Sequence, residues 1–200
     1  MKNVLILNGH QRYEGIAEGN LTKNYIEVAS EVLAKNDFVV KHSVVESDYS
    51  IDEEVEKLGW ADYIIFQYPV FMMGVPWITK KYLDEVIMAG YGTVTYLNDG
   101  RSSTDASKKY GTGGLMQEKK YMLSLTYNCP ESEFSNKDGF FKGLSLDQTQ
   151  DAVHKLFDFC GAQALETYSV HDIFKGDLDL DSELFKFTKL IKKNFQINDI

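Results

Sequence analysis

The stretch Val4-Leu5-Ile6-Leu7-Asn8-Gly9 decides the fold of this chain. Four consecutive aliphatic residues predict a strand buried on both faces, and Asn8-Gly9 predicts the turn that ends it. A polar loop follows over residues 10–19. Apolar residues then recur at helical spacing over residues 21–33, with Asn20 or Thr22 expected to cap the helix. The chain therefore begins as a strand, a loop and a helix.

The rest of the chain repeats this alternation. Strands are predicted over residues 38–45, 62–68, 121–127 and 164–171, and helices over 52–58, 76–90 and 148–160, with a last helix that carries Leu184, Phe187, Ile191 and Phe195. Alternating strands and helices imply a parallel sheet covered on both faces. We expect an α/β, flavodoxin-like, doubly wound five-stranded parallel sheet of order 2-1-3-4-5. Residues 1–200 then form a single domain, with insertions over 90–120 and 128–147.

The composition is that of an acidic globular protein. Lys and Arg number 21 against 30 Asp and Glu, a net charge of −9, while 44% of the 200 residues are hydrophobic and 26% are charged. This balance excludes a disordered or fibrous chain, and the summed negative charge argues against nucleic acid as a partner. A chain of this length buries enough apolar surface to fold without disulfides.

The sequence indicates neither metal chemistry nor a membrane. Cys129 and Cys160 form no C-x-x-C pair, and the four histidines show no ligand spacing, so no metal site is expected. No apolar stretch approaches the roughly 18 residues of a membrane span, and the N-terminus lacks a cleavage signal. We therefore expect a cytoplasmic protein with no membrane span.

The predicted topology indicates where a ligand would bind. In doubly wound sheets, ligands lie outside the carboxyl ends of the strands, at the point where the strand order reverses. Here that point joins the ends of the first, third and fourth strands. Three loops therefore matter most, and they cover residues 9–22, 68–77 and 126–130.

The second loop, Pro69-Val70-Phe71-Met72-Met73-Gly74-Val75-Pro76-Trp77, carries no charge, although a surface connection is normally polar. A flat aromatic ligand would explain this composition. Phe, Met and Trp would supply its face, and Gly74 would let backbone N–H groups approach its polar edge. A subunit contact, or a loop folded over the core, would explain it as well, and the sequence leaves these alternatives open.

The first loop offers a cradle for phosphate. The amides of Asn20, Leu21 and Thr22 lie at the positive N-terminus of the following helix, where anions bind. His10 and Arg12 would add positive charge, with a solvent-exposed role as the alternative for each.

The third loop, Thr126-Tyr127-Asn128-Cys129-Pro130, places a hydroxyl, a phenol and an amide where the edge of a ring system would lie. An ordinary strand end with satisfied polar groups is the alternative. Residues 98–120 carry a local excess of basic side chains, which predicts either a solvated loop or a contact with an adenosine phosphate.

Several runs of the sequence resemble one known family. They are Leu7-Asn8-Gly9, Ser47-Asp48-Tyr49, Trp60-Ala61-Asp62, Gln67-Tyr68-Pro69, Met73-Gly74-Val75-Pro76-Trp77, Lys80-Lys81-Tyr82, Asp105-Ala106-Ser107-Lys108-Lys109-Tyr110-Gly111 and Lys120-Tyr121-Met122-Leu123-Ser124-Leu125-Thr126. Over nearly its full length the chain resembles the modulator of drug activity B group of NAD(P)H:quinone oxidoreductases, relatives of DT-diaphorase with a flavodoxin-like fold.

The resemblance implies a tightly bound FAD rather than FMN, and a homodimer with the flavin near the subunit interface. It also implies NADPH or NADH as electron donor and a quinone, or a similar small aromatic molecule, as acceptor. Together with the three loops it predicts, as cofactor-binding residues, Ala17, Glu18, Gly19, Asn20, Leu21, Thr22, Lys23, Asn24, Pro69, Val70, Phe71, Met72, Met73, Gly74, Tyr110, Thr126, Tyr127, Asn128 and Cys129.

Tyr127 is the residue that we assign to the chemistry. With the amides of residues 71–74, it is expected to steady the negative edge of the reduced flavin. Nicotinamide and quinone would occupy the same place in turn, so the expected reaction is two-electron hydride transfer to quinones by a ping-pong mechanism. Two alternatives stay open, an FMN-dependent azo- or nitroreductase and a flavodoxin-type electron carrier.

Overall fold

The computed structural model describes residues 1–101, 105, 107–176 and 178–198. Residues 102–104 and 106, within the basic segment 98–120 discussed above, lie outside these ranges. The elements in chain order are β1 (Lys2–Asn8), α1 (Asn20–Ala34), β2 (Phe38–Val44), α2 (Ile51–Trp60), β3 (Tyr63–Pro69), α3 (Trp77–Ala89), β4 (Lys120–Thr126), α4 (Leu146–Thr149), α5 (Asp151–Cys160), β5 (Gln163–Ala164), β6 (Tyr168–Val170) and α6 (Leu180–Asn194).

The strands pair in parallel in the order β2-β1-β3-β4-β5. The short strands β5 and β6 both pair with β4, β5 at its start and β6 at its end. This confirms the flavodoxin-like order 2-1-3-4-5. The helix α3 begins after Pro76 and ends before Gly90, as the sequence predicts. Because β1 and β3 are neighbours while β2 lies outside β1, the strand order reverses between β1 and β3.

The predicted strand over residues 164–171 is interrupted. It consists of β5 and β6, separated by residues 165–167. In this gap the backbone is hydrogen-bonded to α6, because the Asn194 side-chain amide donates a hydrogen bond to the Glu166 carbonyl at 2.9 Å. The prediction of one continuous strand is therefore wrong, because a helix distant in sequence holds the middle of the segment.

The predicted helix over residues 148–160 is also divided, into α4 and α5. A capping box between Ser145 and Gln148 starts α4 earlier than predicted. Gln150 separates the two helices with φ of −108° and ψ of 18°. Its side chain is buried, which places a polar group inside the packed interface between α5 and the sheet.

The two faces of the sheet carry separate cores. Alternate residues of each strand point to opposite faces. One face packs β-strand side chains such as Ile65 and Met122 against α1 and α6. The other packs Phe66, Leu123 and their neighbours against α2, α3 and α5. The carboxyl ends of β1, β3 and β4 lie between these helical layers, and both faces are open to ligands there.

Two long connections complete the chain. Residues 90–119 join α3 to β4, and residues 127–145 join β4 to α4 with a short 3₁₀ turn at Glu131–Glu133. Both coincide with the predicted insertions. In the ranges that the structure describes, no helix has both the length and the apolar character needed to cross a membrane. The cytoplasmic location stays a prediction.

Candidate functional site

The carboxyl ends of β3 and β4 are fastened to each other. The register pairs Pro69 with Thr126, and the Val70 N–H donates a hydrogen bond to the Thr126 carbonyl at 3.0 Å. Because side chains alternate along a strand, Pro69 and Thr126 point to the α1 face, whereas Val70 and Tyr127 point to the α5 face. A cavity lies on each face at this point. We name them the α1-side cavity and the α5-side cavity.

The α1-side cavity has a volume of about 290 Å³ and is formed by the first loop, the start of α1 and the two strand ends. Its lining residues are His10, Ile16, Ala17, Glu18, Gly19, Asn20, Leu21, Thr22, Pro69, Thr126, Ile173 and Phe174. Most of the residues predicted to hold a phosphate are therefore brought together, at the place where the strand order reverses.

The N-terminus of α1 opens onto this cavity without a side-chain cap. Gly19 precedes the helix in the left-handed region, with φ of 86°, and no described side chain accepts a hydrogen bond from the first turn. The prediction that Asn20 or Thr22 caps the helix is therefore wrong. Residues of the first turn carry no acidic side chain either. The free N–H groups and the helix dipole leave a positive end that suits an anion.

His10 lies in the wall of the same cavity. It is 8% exposed, so a solvent-exposed role is wrong for this residue. Its Nε2 lies 3.1 Å from the Ala17 carbonyl oxygen, and since a carbonyl only accepts, Nε2 carries the proton. Its Nδ1 is buried and has no hydrogen-bond partner within the described part of the chain. This nitrogen is therefore available as a hydrogen-bond acceptor at the wall of the cavity.

Glu18 and Arg12 form an exposed ion pair in the first loop. The Arg12 Nε lies 2.6 Å from Glu18 Oε2, and the Gly15 N–H donates to Glu18 Oε1 at 2.7 Å. The Gly15 N–H and the Arg12 guanidinium hold the pKa of the Glu18 carboxyl below its ordinary value. Arg12 thereby offsets a negative charge that would otherwise oppose an anion in the cavity.

The α5-side cavity has a volume of about 230 Å³, and its lining residues are Val70, Met73, Tyr127, Phe141, Leu144, Gln148, Thr149 and Gln150. Val70, Met73, Phe141 and Leu144 supply apolar walls. Hydroxyl and amide groups come from the remaining residues. A small planar ring with a polar edge fits this combination.

Tyr127 is buried beside this cavity. Its ring stacks on the His171 imidazole, with centroids 5.4 Å apart and planes inclined by 13°. Its hydroxyl accepts a hydrogen bond from Gln150 Nε2 at 2.7 Å and lies 3.4 Å from Thr149 Oγ1. Burial raises the pKa of the Tyr127 phenol, and the hydrogen bonds with Thr149 and Gln150 oppose that rise. The hydroxyl is therefore protonated at neutral pH.

Residues 71–74 form a tight hairpin turn. The Phe71 N–H donates to the Gly74 carbonyl at 2.8 Å, and the Gly74 N–H donates to the Phe71 carbonyl at 3.1 Å. Met72 and Met73, the two central residues, have φ of 46° and 71°. Two-residue turns of this kind favour Asn-Gly, because other side chains are strained at positive φ.

The side chains of this turn project outward. Met72 is 93% exposed and Met73 is 61% exposed, so the tip of the loop is not folded over the core. Val70 and Val75, on either side of the turn, pack against the core. Backbone strain combined with exposed apolar side chains is typical of a binding segment. A ligand contact and a subunit contact both stay open for the tip.

Other predicted residues line neither of the two cavities. These are Lys23, Asn24, Phe71, Met72, Gly74, Tyr110, Asn128 and Cys129. The ring of Phe71 stacks on that of Tyr13 in the first loop, with ring centroids 4.7 Å apart. Tyr110 lines a separate groove of about 730 Å³ between α3 and α5, where its ring centroid is 5.8 Å from that of Phe159.

Several lining residues were not predicted. They are Ile16, Ile173 and Phe174 at the α1-side cavity, and Phe141, Leu144, Gln148, Thr149 and Gln150 at the α5-side cavity. The sequence held one signal for them, since the apolar pair Ile173-Phe174 lies one residue beyond the end of the last predicted strand, at the same edge of the sheet. Among the residues described, no cluster of His, Cys, Asp and Glu could hold a metal ion.

Comparison with known sequences places the chain among flavodoxin-like proteins. A family model described as having a flavodoxin-like fold matches residues 2–186. The NADPH:quinone oxidoreductase MdaB of Haemophilus influenzae is 40% identical over 174 residues, which cover 87% of this chain and 90% of that protein. An uncharacterised protein of Schizosaccharomyces pombe is 41% identical over 173 residues, which cover 86% of this chain and 87% of the relative.

Solved structures share the fold at low sequence identity. A Klebsiella pneumoniae protein, described provisionally as a quinone reductase, has a TM-score of 0.76 at 18% identity and covers 98% of this chain and 84% of its own. An FMN-dependent NADH-azoreductase of Bacillus anthracis has a TM-score of 0.68 at 12% identity and covers 96% of this chain and 99% of its own. At these identities the likeness concerns the fold alone.

The parallel strand order 2-1-3-4-5 defines a protein of the flavodoxin-like class, in agreement with the family match over residues 2–186. Within that class the identity to MdaB extends over nearly the full length of both chains. The chain belongs to the family of MdaB-like NADPH:quinone oxidoreductases. This confirms the family resemblance drawn from the sequence motifs.

The turn at residues 71–74 yields a prediction that separates stability from function. Replacing Met72 and Met73 together by Asn and Gly should relieve the positive-φ strain and raise the free energy of unfolding by about 1–2 kcal/mol. The same change removes two apolar side chains, so the Michaelis constant for a hydrophobic quinone should rise. Urea unfolding and steady-state kinetics measure the two effects.

A variant with Met72 and Met73 both changed to Leu is the matched control, because it keeps the apolar surface and the strain. It should retain the stability and the Michaelis constant of the unchanged protein. A loss of stability in the Asn-Gly variant would show that the left-handed turn is not strained.

Proposed function

We propose that this protein is an FAD-dependent enzyme that transfers two electrons from NAD(P)H to quinones. One observation carries the proposal. An anion-binding cavity and a ring-sized cavity flank the same two strand ends, at Pro69-Val70 and Thr126-Tyr127. A dinucleotide lying across this edge of the sheet would reach both.

The residues of the α1-side cavity fit a flavin diphosphate. The N–H groups of Asn20, Leu21 and Thr22 would hold its oxygens at the uncapped end of α1. His10 Nδ1, which has no partner within the described part of the chain, would accept a hydrogen bond from a hydroxyl of the bound group. A Cβ at Gly19 would lie 3.0 Å from the His10 ring, so glycine keeps this wall of the cavity in place.

Apolar side chains at the same cavity support FAD rather than FMN. Ile16 and Phe174, which line it, are 65% and 62% exposed. An adenosine attached to the diphosphate would cover such surface, whereas FMN ends at its phosphate.

The α5-side cavity suits the reacting ring and its partners. A bound flavin supplies the two-electron redox chemistry. Val70 and Met73 would pack on a planar ring and exclude water, and Tyr127 would hold its polar edge. Of the amides expected to help, those of Phe71 and Gly74 are already paired within the turn. The N–H groups of Met72 and Met73 are therefore the ones that we assign to the ring edge.

Nicotinamide and quinone are both flat, and in this proposal they use one place in turn. The chain then supplies a shaped apolar surface and no nucleophile. Successive occupation of one place makes ping-pong kinetics the expected pattern. The exposed Met72, Met73 and Trp77 support a homodimer in which this loop lies near the subunit interface.

Identification of the cofactor tests the proposal directly. The purified protein should show the absorption bands of a bound flavin, and the cofactor released by heat should migrate with an FAD standard. Anaerobic NADPH should bleach the bands and a quinone should restore them. A preparation that takes up no added flavin would contradict the proposal, and release of FMN would favour the azo- or nitroreductase alternative.

A pair of glycine variants tests the phosphate cradle. Gly19→Ala should weaken FAD binding about tenfold or more, because the added Cβ crowds His10 and disturbs the amides of the first turn of α1. Gly15→Ala is the control. Gly15 also has a positive φ of 70°, but apart from its chain neighbours no heavy atom of the described residues lies within 4 Å of the added carbon. Fluorescence titration of the apoprotein with FAD gives both affinities.

If Gly19→Ala and Gly15→Ala bind FAD with equal affinity, any loss of affinity comes from backbone strain in the loop. In that case the Gly19 contact would not form part of the binding site.

A further inference from the structure

Gln150 is a buried polar residue at the break between α4 and α5, and the predicted site does not include it. Its side chain is 3% exposed. Its Oε1 accepts a hydrogen bond from the Tyr68 hydroxyl at 2.9 Å, and its Nε2 donates to the Tyr127 hydroxyl oxygen at 2.7 Å. Both polar atoms of the Gln150 side chain are therefore hydrogen-bonded to phenols, one to Tyr68 and the other to Tyr127.

These bonds decide where the Tyr127 O–H points. Gln150 Nε2 already occupies a lone pair of the Tyr127 oxygen, so the phenolic proton is directed elsewhere. Thr149 Oγ1 lies 3.4 Å away and donates its own proton to the Leu146 carbonyl at 2.6 Å. A contact of 3.4 Å between two hydroxyls is too long to hold the proton strongly. The Tyr127 proton is free to turn into the α5-side cavity, which Tyr127 lines.

We propose that Gln150 is a positioning residue that presents the Tyr127 hydroxyl as a hydrogen-bond donor to a ring carbonyl oxygen in the α5-side cavity. The inference rests on the proposed function and deepens it. Quinones carry such a carbonyl, and so does the pyrimidine ring of a flavin. The apolar walls formed by Val70, Phe141 and Leu144 exclude water and strengthen the bond. Molecules that lack a ring carbonyl gain nothing from this donor.

Infrared difference spectra test the bond without turnover. 1,4-Naphthoquinone labelled with ¹³C at its carbonyls is bound to the oxidised protein as purified, and FAD labelled with ¹³C at C2 is bound to the apoprotein. A hydrogen bond from Tyr127 lowers the stretching frequency of the labelled carbonyl, and Tyr127→Phe should reverse that shift for one of the two ligands. The label that responds identifies the source of the carbonyl. Gln150→Leu should move the same band in the same direction.

Affinity for naphthoquinone gives a second readout in the form of a double-mutant cycle. Loss of one hydrogen bond should weaken binding about tenfold in Tyr127→Phe and by a similar factor in Gln150→Leu. If Gln150 acts only through Tyr127, the double variant should also lose about tenfold rather than the product of the two factors. Should FAD prove to be the responding ligand, the same cycle is measured with FAD.

Gln150→Glu keeps the volume of the side chain and guards against a folding defect. A carboxylate accepts from both phenols, so it should draw the Tyr127 proton away from the cavity and reproduce the loss. Tyr82→Phe is the matched control. Tyr82 is an equally buried phenol whose hydroxyl donates to Glu54 in the packing between α2 and α3, and its loss should leave the band and the affinity unchanged.

Two results would overturn the inference. One is a labelled band that stays at its original frequency in Tyr127→Phe with both ligands. The other is a Gln150→Leu variant, folded by circular dichroism, that keeps the original band and affinity. A protein that shows the shift but has no quinone reductase activity would contradict the proposed function alone.

Discussion

The structure depends on one constraint, the register in which β3 and β4 end side by side. The backbone bond from Val70 to Thr126 closes this edge of the sheet. Because side chains alternate, the residues on either side of the bond face opposite layers of helices. One edge therefore presents the α1-side cavity, onto which the N-terminus of α1 opens, on one face and the α5-side cavity on the other. Shifting either strand by one residue would exchange these surfaces.

Locally unfavourable features collect around this edge. Among the residues that the structure describes, no side chain caps the start of α1 and none pairs with the buried His10 Nδ1, while Met72 and Met73 adopt positive φ. Each costs free energy in the isolated chain, and the two separate hydrophobic cores stabilise the fold enough to retain them. These features are explained if a bound ligand forms hydrogen bonds with the first amides of α1 and with the His10 imidazole, and covers Met72 and Met73.

The sequence predicts the parts of the fold that local periodicity controls. The apolar runs of β1 and β3 and the strand order follow from hydrophobic pattern and handedness. The loops that meet at the carboxyl ends of the strands follow from that order. The breaks in the last strand and in the helix after residue 145 do not follow, since they depend on contacts such as Asn194 with Glu166 and Gln150 with Tyr68. These partners are distant in sequence, so no local window contains the information. Burial of His10 was missed for the same reason.

The central claim is that a single ligand uses both faces of this edge of the sheet. Titration of the ¹⁵N-labelled apoprotein with FAD, followed by NMR, tests it most directly. The account predicts that the amide signals of Asn20, Leu21 and Thr22 and those of Val70 and Tyr127 move together, with one common dissociation constant. Movement at only one of the two cavities, or movement at both with clearly different constants, would contradict it.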